Sequence, residues 1–417
     1  MNAARETVES KLGRVEFTMI LSMLMAATAL AIDLMLPAFG FMREDFGLAS
    51  DSNAIAPVVT FFFLGLAIGQ LFWGPLSDAL GRKRILYAGL AVYIAGAVGA
   101  ALAPSLGFLF VMRFIGGVGA AGSRVIAISV VRDTYEGEHM AKVMSYVMAL
   151  FILIPIVAPT IGAGLLAIGT WRFVFLVIAG FGIVVGLWAL RLPETLEQSR
   201  RIPLDLSALG GAIAIVGRNR FTMGMTLART SLFAFFVSYL ASSQLIIDDV
   251  FGLDDWFPVI FAAMAAVTGL GMLVNARLLD RFSLRSIVRA VLTAFLVAAA
   301  VFATMAVLTG GTPPFWLFMI TYLPVVACNA LLIPNLNSAA MIPMGAIAGT
   351  AAAVTGTIST LGGAVFGAGI DSLYNGTITP FAISGAVLVM IGFGFYRWAD
   401  KIWDRATTEQ QSVEPVT

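Results

Sequence analysis

The hydrophobic positions of this chain form twelve long apolar runs that are separated by short polar segments. Most runs cover about 20 residues or slightly more, the length that an α-helix needs to cross the hydrocarbon core of a bilayer. Because no water reaches that core, a spanning segment must satisfy its own backbone hydrogen bonds, as a helix does. The runs cover residues 16–38, 55–77, 84–103, 106–129, 141–167, 171–191, 221–247, 257–279, 286–308, 314–338, 346–370 and 378–398. The pattern predicts an all-α integral membrane protein with twelve spans.

Lysine and arginine residues concentrate on one side of these spans. They occur in the arm before the first span, in the tail, and in every connection that lies on the same side as the two ends. The opposite side carries only Arg43 and Arg172. Since positively charged loops tend to remain in the cytoplasm, we predict that both termini are cytoplasmic and that the protein lies in the cell (inner) membrane.

The longest polar connection follows the sixth span and divides the chain into two halves. We predict an N-terminal six-helix half over residues 1–192, a cytoplasmic linker over 193–220, a C-terminal six-helix half over 221–400 and a cytoplasmic tail over 401–417. Within the linker, the stretch from Asp205 to Val216 is predicted to form a short amphipathic helix along the membrane surface.

The composition excludes several classes of function. Hydrophobic residues make up 59% of the chain and charged residues 12%, whereas soluble domains carry about 25% charged residues. A net charge of +1 leaves no broad basic face for nucleic acid. The single cysteine, Cys328, lies in an apolar run, and the single histidine, His139, lies in a polar loop, so we expect no disulfide, no metal site and no cofactor.

A short charged turn between the second and third spans resembles a known family signature. The turn matches the pattern Gly-x-Leu-Ala-Asp-Arg-x-Gly-Arg-Lys-x-x-Leu of the major facilitator superfamily at Gly74, Leu76, Asp78, Gly81, Arg82, Lys83 and Leu86. Ser77 stands where the pattern has Ala, and Ala79 stands where it has Arg. The resemblance implies two pseudo-symmetric six-helix halves around a central cavity, with Gly74, Asp78, Gly81, Arg82 and Lys83 in the cytoplasmic gate. A degenerate copy of the turn follows the eighth span, from Ala276 to Arg281.

The fourth span resembles a second pattern of the same superfamily, Leu-x-x-x-Arg-x-x-Gln-Gly-x-Gly-Ala-Ala. It matches at Leu109, Arg113, Gly117, Gly119, Ala120 and Ala121, while Gly116 replaces Gln. In drug–proton antiporters the arginine of this pattern is implicated in proton transfer. An arginine inside a span stays charged, so it must also face a partner or a wet cavity.

Asp33 is predicted to share a depth with Arg113. Asp33 lies six residues before Phe39, the expected outer end of the first span, and is therefore about 9 Å deep. Arg113 lies seven residues after Leu106 and is about 10 Å deep. Asp33 is the only carboxylate clearly inside the predicted spans, so we predict that it is the proton site and that Arg113 tunes it. The alternative is a static ion pair that only joins two helices.

Two further arginines lie inside spans. Arg124 follows Arg113 by eleven residues, which returns it to within about 20° of the same helix face. Arg229 lies about 12 Å into the seventh span. Three cations against one carboxylate favour a neutral, zwitterionic or anionic substrate. The alternative for Arg124 and Arg229 is that they extend toward cytoplasmic water.

The fifth span carries Pro155, Pro159 and Gly162 in a segment that resembles the antiporter signature Gly-Pro-x-x-Gly-Gly, although a merely kinked helix would use the same residues. The run from Ala31 to Ala38 is similar to the first span of bicyclomycin/chloramphenicol-resistance exporters. Some of those relatives carry a second carboxylate where this chain has Met25.

Other polar residues near the expected cavity are Tyr239, Gln244 and Asn329, which either bind substrate or bridge helices. The resemblance implies a monomeric, proton-driven exporter of small amphipathic compounds that is not an enzyme, with the substrate, protons and the bilayer as its partners. The alternative is a narrow-specificity exporter of an endogenous, possibly anionic, metabolite. A lipid-modifying enzyme and a channel are disfavoured, because the sequence contains neither a nucleophile with its base nor a ring of pore-lining charges.

Overall fold

The computed structural model describes residues 12–49, 52–204 and 206–404. Helices account for nearly all the regular structure in these ranges, and no β-strand occurs within them. The chain packs as two compact units that divide between Leu204 and Asp205, inside the predicted linker.

The first unit contains seven α-helices within the described ranges. They are α1 (Arg14–Asp33), α2 (Phe39–Asp45), α3 (Pro57–Leu80), α4 (Arg82–Ala101), α5 (Leu106–Thr134), α6 (Gly137–Ile168) and α7 (Trp171–Trp188). A 3₁₀ turn (Leu36–Ala38) joins α1 to α2, and together these three elements form the first membrane-spanning segment, Arg14–Asp45.

The second unit also contains seven α-helices within the described ranges. They are α8 (Leu206–Arg218), α9 (Arg220–Leu245), α10 (Phe257–Leu279), α11 (Leu284–Leu308), α12 (Phe315–Met341), α13 (Ala348–Asp371) and α14 (Thr379–Asp400). A π-helical turn (Ile246–Val250) extends α9, and a 3₁₀ helix (Ile342–Ile347) follows α12.

Within the described ranges, twelve helical segments are long and apolar enough to cross a membrane, so the predicted number of spans is confirmed. Ten of the predicted spans differ from the observed ones by no more than about five residues at either end. The first continues past residue 38 to Asp45, and the tenth continues past residue 338 to Gly345. In the first span the extension ends at Asp45, whose carboxylate accepts hydrogen bonds from the Trp171 indole at 3.1 Å and the Arg172 guanidinium at 2.6 Å.

The two units repeat one packing order. In the first unit, the main helix pairs are α1 with α5, α6 and α7, α3 with α5, and α4 with α5 and α7. In the second unit, α9 packs against α12, α13 and α14, α10 packs against α12, and α11 packs against α12 and α14. When the six spans of each unit are numbered in chain order, these are the same pairs as in the first unit. The six spans of each unit therefore have the same arrangement. The degenerate copy of the charged turn between the eighth and ninth spans is consistent with two related halves.

Glycines allow the closest of these helix approaches. A Cβ atom at Gly65 of α3 would overlap the backbone oxygen of Phe114 on α5, and a Cβ at Gly117 would overlap that of Phe62 on α3. Small residues at such crossings let two helix backbones touch. The glycines of the fourth-span pattern thus have a packing role.

The linker contains the predicted short helix. Helix α8 covers Leu206–Arg218, while Asp205, where the prediction began, lies outside the described residues. Ala212 and Val216 are buried, whereas Ile213 and Ile215 are exposed. Helix α8 packs against α9 and α13 of its own unit, and these two helices cover its buried face.

Candidate functional site

Asp33 lies at a break in the first span. Helix α1 ends at this residue, and Pro37, four residues later, has no N–H with which to continue the helical hydrogen bonds to the Asp33 carbonyl. The Asp33 side chain is 4% exposed and makes no hydrogen bond or ion pair with the described residues. The helical segment continues past Phe39 to Asp45, so Phe39 is not the end of that segment.

The motif residue Gly162 of α6 packs directly beside this break. A Cβ at Gly162 would overlap the carbonyl oxygen of Leu34, the residue after Asp33, and would lie 3.4 Å from Cγ of Pro37. Pro155 and Pro159 lie within the same helix, which continues through both. The structure therefore brings the fifth-span motif and the predicted proton site into contact through the backbone.

Arg113 is buried among aromatic rings rather than against a carboxylate. Its side chain is 3% exposed, Nε donates a 3.2 Å hydrogen bond to the carbonyl oxygen of Val58, and the guanidinium lies 4.3 Å from the centroid of the Phe62 ring. Its Nη2 atom is buried without a hydrogen-bond partner among the described residues. A cation over an aromatic face is stabilised by the ring quadrupole.

Asp33 and Arg113 do not form an ion pair, so the static ion pair considered from the sequence is absent. The register of their helices can be read from Thr28, whose hydroxyl donates to the carbonyl oxygen of Ala120 at 3.4 Å. Asp33 lies five residues beyond this contact on α1, and Arg113 lies seven residues before it on the antiparallel α5, so their depths differ by about 3 Å. Tyr93 of α4 contacts α1 nearby, since its hydroxyl donates to the carbonyl oxygen of Ala27 at 3.0 Å.

Arg124 follows Arg113 on α5 and is half-buried. Its guanidinium makes no hydrogen bond or ion pair with the residues that the structure describes. Arg124 thus presents a positive charge on this face of α5 that no carboxylate of the described residues pairs with.

The charged turn between α3 and α4 is held by Arg82, which is 4% exposed. Arg82 donates to Asp78 at 2.5 Å, to Asp133 at 2.7 Å and to the Ser77 hydroxyl at 2.7 Å. Gly81, which joins the two helices, has φ = 99°, a conformation that side chains other than glycine rarely adopt. Gly74 lies within α3, where no neighbouring atom approaches its Cβ position closely.

The linker packs against the same turn. Glu194 caps the start of α4, because its carboxylate accepts hydrogen bonds from the backbone N–H groups of Arg82 at 2.9 Å and Lys83 at 3.1 Å. The Lys83 ammonium group donates to the carbonyl oxygen of Leu190 at 2.9 Å. The backbone N–H of Ile202 donates to the carbonyl oxygen of Asp78 at 3.1 Å. The predicted gate residues thus share one network with the linker.

In the second unit, the predicted cavity residues have different surroundings. Arg229 is half-buried and donates to the side-chain oxygen of Asn337. Gln244 is fully buried and donates to Asp254 at 2.8 Å. Asn329 is 8% exposed and donates to the carbonyl oxygen of Leu232 at 3.4 Å, while its Oδ1 has no partner among the described residues.

Tyr239 belongs to an aromatic cluster inside the second unit. Its ring stacks on Phe261 with centroids 5.9 Å apart and lies 5.5 Å from Tyr322. The cavity beside these rings has a volume of about 10 Å³, which is room for roughly one water molecule. Among the four second-unit candidates, Gln244 and Arg229 have the clearest helix-bridging contacts.

Sequence reasoning missed a second buried carboxylate, Asp371. The eleventh span was predicted to end at residue 370, but α13 continues to Asp371, which is 4% exposed. One of its oxygens accepts hydrogen bonds from the hydroxyl groups of Ser238 at 2.6 Å and Ser242 at 2.8 Å. Asp33 is therefore not the only buried carboxylate of a spanning helix in the described residues, since Asp371 is equally buried and Asp400, at the end of α14, is 8% exposed. The signal available in the sequence was the pair of serines one helical turn apart on the seventh span.

Comparison with known proteins identifies the family to which this chain is related. The sequence model of the Major Facilitator Superfamily matches residues 20–367. An uncharacterized MFS-type transporter, YdgK of Bacillus subtilis, is 28% identical over 84% of this chain and 87% of its own length. A bicyclomycin resistance protein homolog of Haemophilus influenzae is 26% identical over 91% of this chain and 95% of its own length. The multidrug resistance protein MdtL of Salmonella heidelberg is 29% identical over 55% of this chain and 58% of its own length.

Solved structures share the fold. A proton:xylose symporter, XylE, bound to 6-bromo-6-deoxy-D-glucose superposes with a TM-score of 0.73 at 14% identity, covering 96% of this chain and 98% of that chain. A bacterial homolog of the human lysosomal transporter Spinster, in an inward-facing conformation, superposes with a TM-score of 0.68 at 15% identity, covering 97% and 99%.

Proposed function

The chain belongs to the major facilitator superfamily, and from that premise we propose that it is a proton-coupled exporter of small amphipathic compounds. It is a multi-pass membrane protein with the fold of transporters rather than of enzymes. The relatives named for bicyclomycin and multidrug resistance support export as the direction and amphipathic drugs as the substrate class. No resident cofactor is required, because a proton gradient supplies the driving force.

The proposal depends mainly on one observation, namely that the Asp33 carboxyl group is buried and is not paired with a cation of the described residues. A carboxyl group that is buried without a fixed cation can gain or lose a proton when its surroundings change. Asp33 is such a group, and it lies at a helix break, where the backbone can move with little loss of hydrogen bonding. Intramembrane carboxyl groups of this kind are the usual elements of proton relays in transporters.

In the proposed cycle, Asp33 takes a proton from the outside and releases it to the inside when substrate binds from the cytoplasm. Arg113 contributes a positive field at nearly the same depth without holding the carboxylate in an ion pair. The Arg82 network with Asp78 acts as the gate on the predicted cytoplasmic side. Access would alternate between the two faces of the membrane, as in other transporters built from repeated units.

The test uses the purified full-length chain in liposomes with an internal pH dye and an imposed proton gradient. Wild-type protein should release protons from the gradient when an amphipathic compound is supplied on the side equivalent to the cytoplasm. Asp33→Asn should abolish this substrate-triggered proton flux, because the amide keeps the size of the side chain but cannot titrate. Counterflow of labelled compound without a gradient should survive in the same variant.

Asp45→Asn is the matched control, because Asp45 lies on the same span but is half-exposed and paired with Arg172. It should retain proton coupling. Proton flux in Asp33→Asn that equals the wild-type flux would overturn the proposed proton site.

A narrow-specificity exporter of an anionic metabolite is the second candidate. It is favoured by Arg124, which is half-buried on the same face as Arg113 without a carboxylate partner in the described part of the chain. A panel of cationic, neutral and anionic compounds in the same liposomes separates the two candidates. A response to anions alone, lost in Arg124→Gln, would favour the metabolite exporter.

A further inference from the structure

A cavity of about 440 Å³ lies beside the charged turn, on the side predicted to face the cytoplasm. It is bounded by α4, by the end of α3 and by the linker, and it belongs entirely to the first unit. Its walls are formed by Leu80, Lys83, Arg84, Tyr87, Glu194 and Arg201. The proposed transport cycle makes no use of this cavity.

The cavity has an excess of positive charge. Three cationic side chains and one carboxylate line it, and the carboxylate, that of Glu194, is already engaged by the backbone N–H groups at the start of α4. The guanidinium groups of Arg84 and Arg201 make no hydrogen bond or ion pair with the described residues. The Nε atom of Arg201 is buried without a hydrogen-bond partner in that part of the chain. Two guanidinium groups are therefore available to an anion.

The Arg201 side chain lies against the turn at Gly81. An atom at the Cβ position of Gly81 would lie 2.9 Å from Nη2 of Arg201 and 2.7 Å from Oε2 of Glu194. The Arg201 guanidinium therefore reaches the backbone of the turn at Gly81. The neighbouring residue of the linker, Ile202, is tied to the same turn through the carbonyl of Asp78.

Apolar side chains adjoin the cationic wall. Leu80 is 43% exposed, and on the neighbouring sixth span (Trp171–Arg191) Leu187 is 62% exposed and Leu190 56% exposed. Tyr87 and Lys83 link this segment to α4, since they donate to the carbonyl oxygens of Gly186 at 3.0 Å and Leu190 at 2.9 Å. The cavity therefore has cations at its polar wall and a lipid-exposed apolar surface beside it.

We propose that this cavity binds the phosphate group of an anionic membrane phospholipid, with Arg84 and Arg201 as its ligands and the acyl chains along the exposed leucines of the sixth span. Guanidinium groups bind phosphate oxygens through paired hydrogen bonds. Basic pockets at the cytoplasmic ends of membrane helices are suited to lipid headgroups. The bound phosphate would fasten the linker, through Arg201, to the charged turn. The apolar surface favours a lipid over free phosphate as the source of the anion.

Native mass spectrometry of the full-length chain in mixed micelles tests this site. With equal amounts of phosphatidylglycerol and phosphatidylcholine, wild-type protein should retain phosphatidylglycerol preferentially. The double variant R84Q/R201Q should lose this preference by roughly tenfold or more, since each change removes charge-assisted hydrogen bonds. R277Q/R281Q is the matched control, because it removes two exposed arginines from the corresponding turn of the second unit. It should behave as wild type.

Competition and a conservative variant complete the experiment. Glycerol phosphate and inorganic phosphate, in large molar excess, should not displace the retained phosphatidylglycerol. Displacement by either would overturn the assignment to a lipid in favour of a soluble phosphate. R84K/R201K keeps both charges and should keep a weaker preference. Equal retention by wild type and R84Q/R201Q, or equal losses in R84Q/R201Q and R277Q/R281Q, would contradict the site.

Discussion

Arg82 binds two carboxylates that differ in exposure. The Asp133 side chain is 7% exposed, and it receives hydrogen bonds from two nitrogen atoms of Arg82. The Asp78 side chain is 39% exposed and receives one. Removing one member of a buried ion pair leaves an uncompensated charge and costs about 3–5 kcal/mol, whereas an exposed pair contributes about 1 kcal/mol or less. The difference in exposure therefore predicts that Asp133 matters more for stability than Asp78 does.

We predict that Asp133→Asn lowers the stability of the protein and that Asp78→Asn does not. Asp78→Asn should instead reduce transport, because the gate loses its charged contact. Stability is measured as the temperature at which half of the detergent-solubilised protein elutes as a single species, and transport is measured in liposomes. A normal transport rate in Asp78→Asn would remove Asp78 from the gate.

At the scale of elements, the contact between α6 and the first span connects the fifth-span motif with Asp33, the proposed proton site. Helix α6 contains two prolines and yet continues over Gly137–Ile168, and its Gly162 faces the break after Asp33. A glycine lets α6 lie directly on the backbone of the break. A change in the packing of α6 would therefore alter the surroundings of Asp33 without touching its side chain.

Gly162→Val should reduce proton-coupled transport strongly, because its side chain would overlap the Leu34 carbonyl and displace the segment after Asp33. Gly164→Val is the control on the same helix, since no neighbouring atom lies within 4 Å of its Cβ position. Both variants carry the same change in helix propensity. Substrate-triggered proton flux in liposomes is the measurement, and equal flux in the two variants would contradict a role for this contact.

At the scale of the whole molecule, an even number of spans predicts that the first and last spans begin and end on the same side of the membrane. The structure has twelve spans and two six-helix units with the same packing order. The distribution of lysine and arginine predicts that this side is the cytoplasm. The lipid site and the gate depend on the same orientation.

Cysteine labelling tests the orientation. In a Cys328→Ser background, Ser199→Cys in the linker should react with a membrane-impermeant maleimide only after cells are permeabilised. Asn375→Cys, between α13 and α14, should react in intact cells, because it lies at the opposite ends of the helices. Both positions are exposed. The reverse pattern would invert the predicted topology.

Much of the fold could be predicted from the sequence because the bilayer imposes a local rule. A span must be apolar over the thickness of the hydrocarbon core, so the twelve runs and the break between the halves are visible without any tertiary contact. The ends of the helices are less visible. The first span reaches Asp45, where contacts with Trp171 and Arg172 help hold it, and those partners lie more than 120 residues away in the chain.

The chemistry of the site was only partly predictable. The sequence by itself determined that Asp33 and Arg113 lie inside long apolar runs, whereas their similar depth follows from the contact between Thr28 and Ala120 in the structure. Only the tertiary structure decided that Arg113 packs on Phe62 without pairing with Asp33, and that Gly162 lies beside the break. Asp371 shows the same limit, because a carboxylate at the end of an apolar run cannot be distinguished from a loop residue until Ser238 and Ser242 are placed against it. Hydropathy is a property of neighbours in sequence, whereas burial and pairing are properties of neighbours in space.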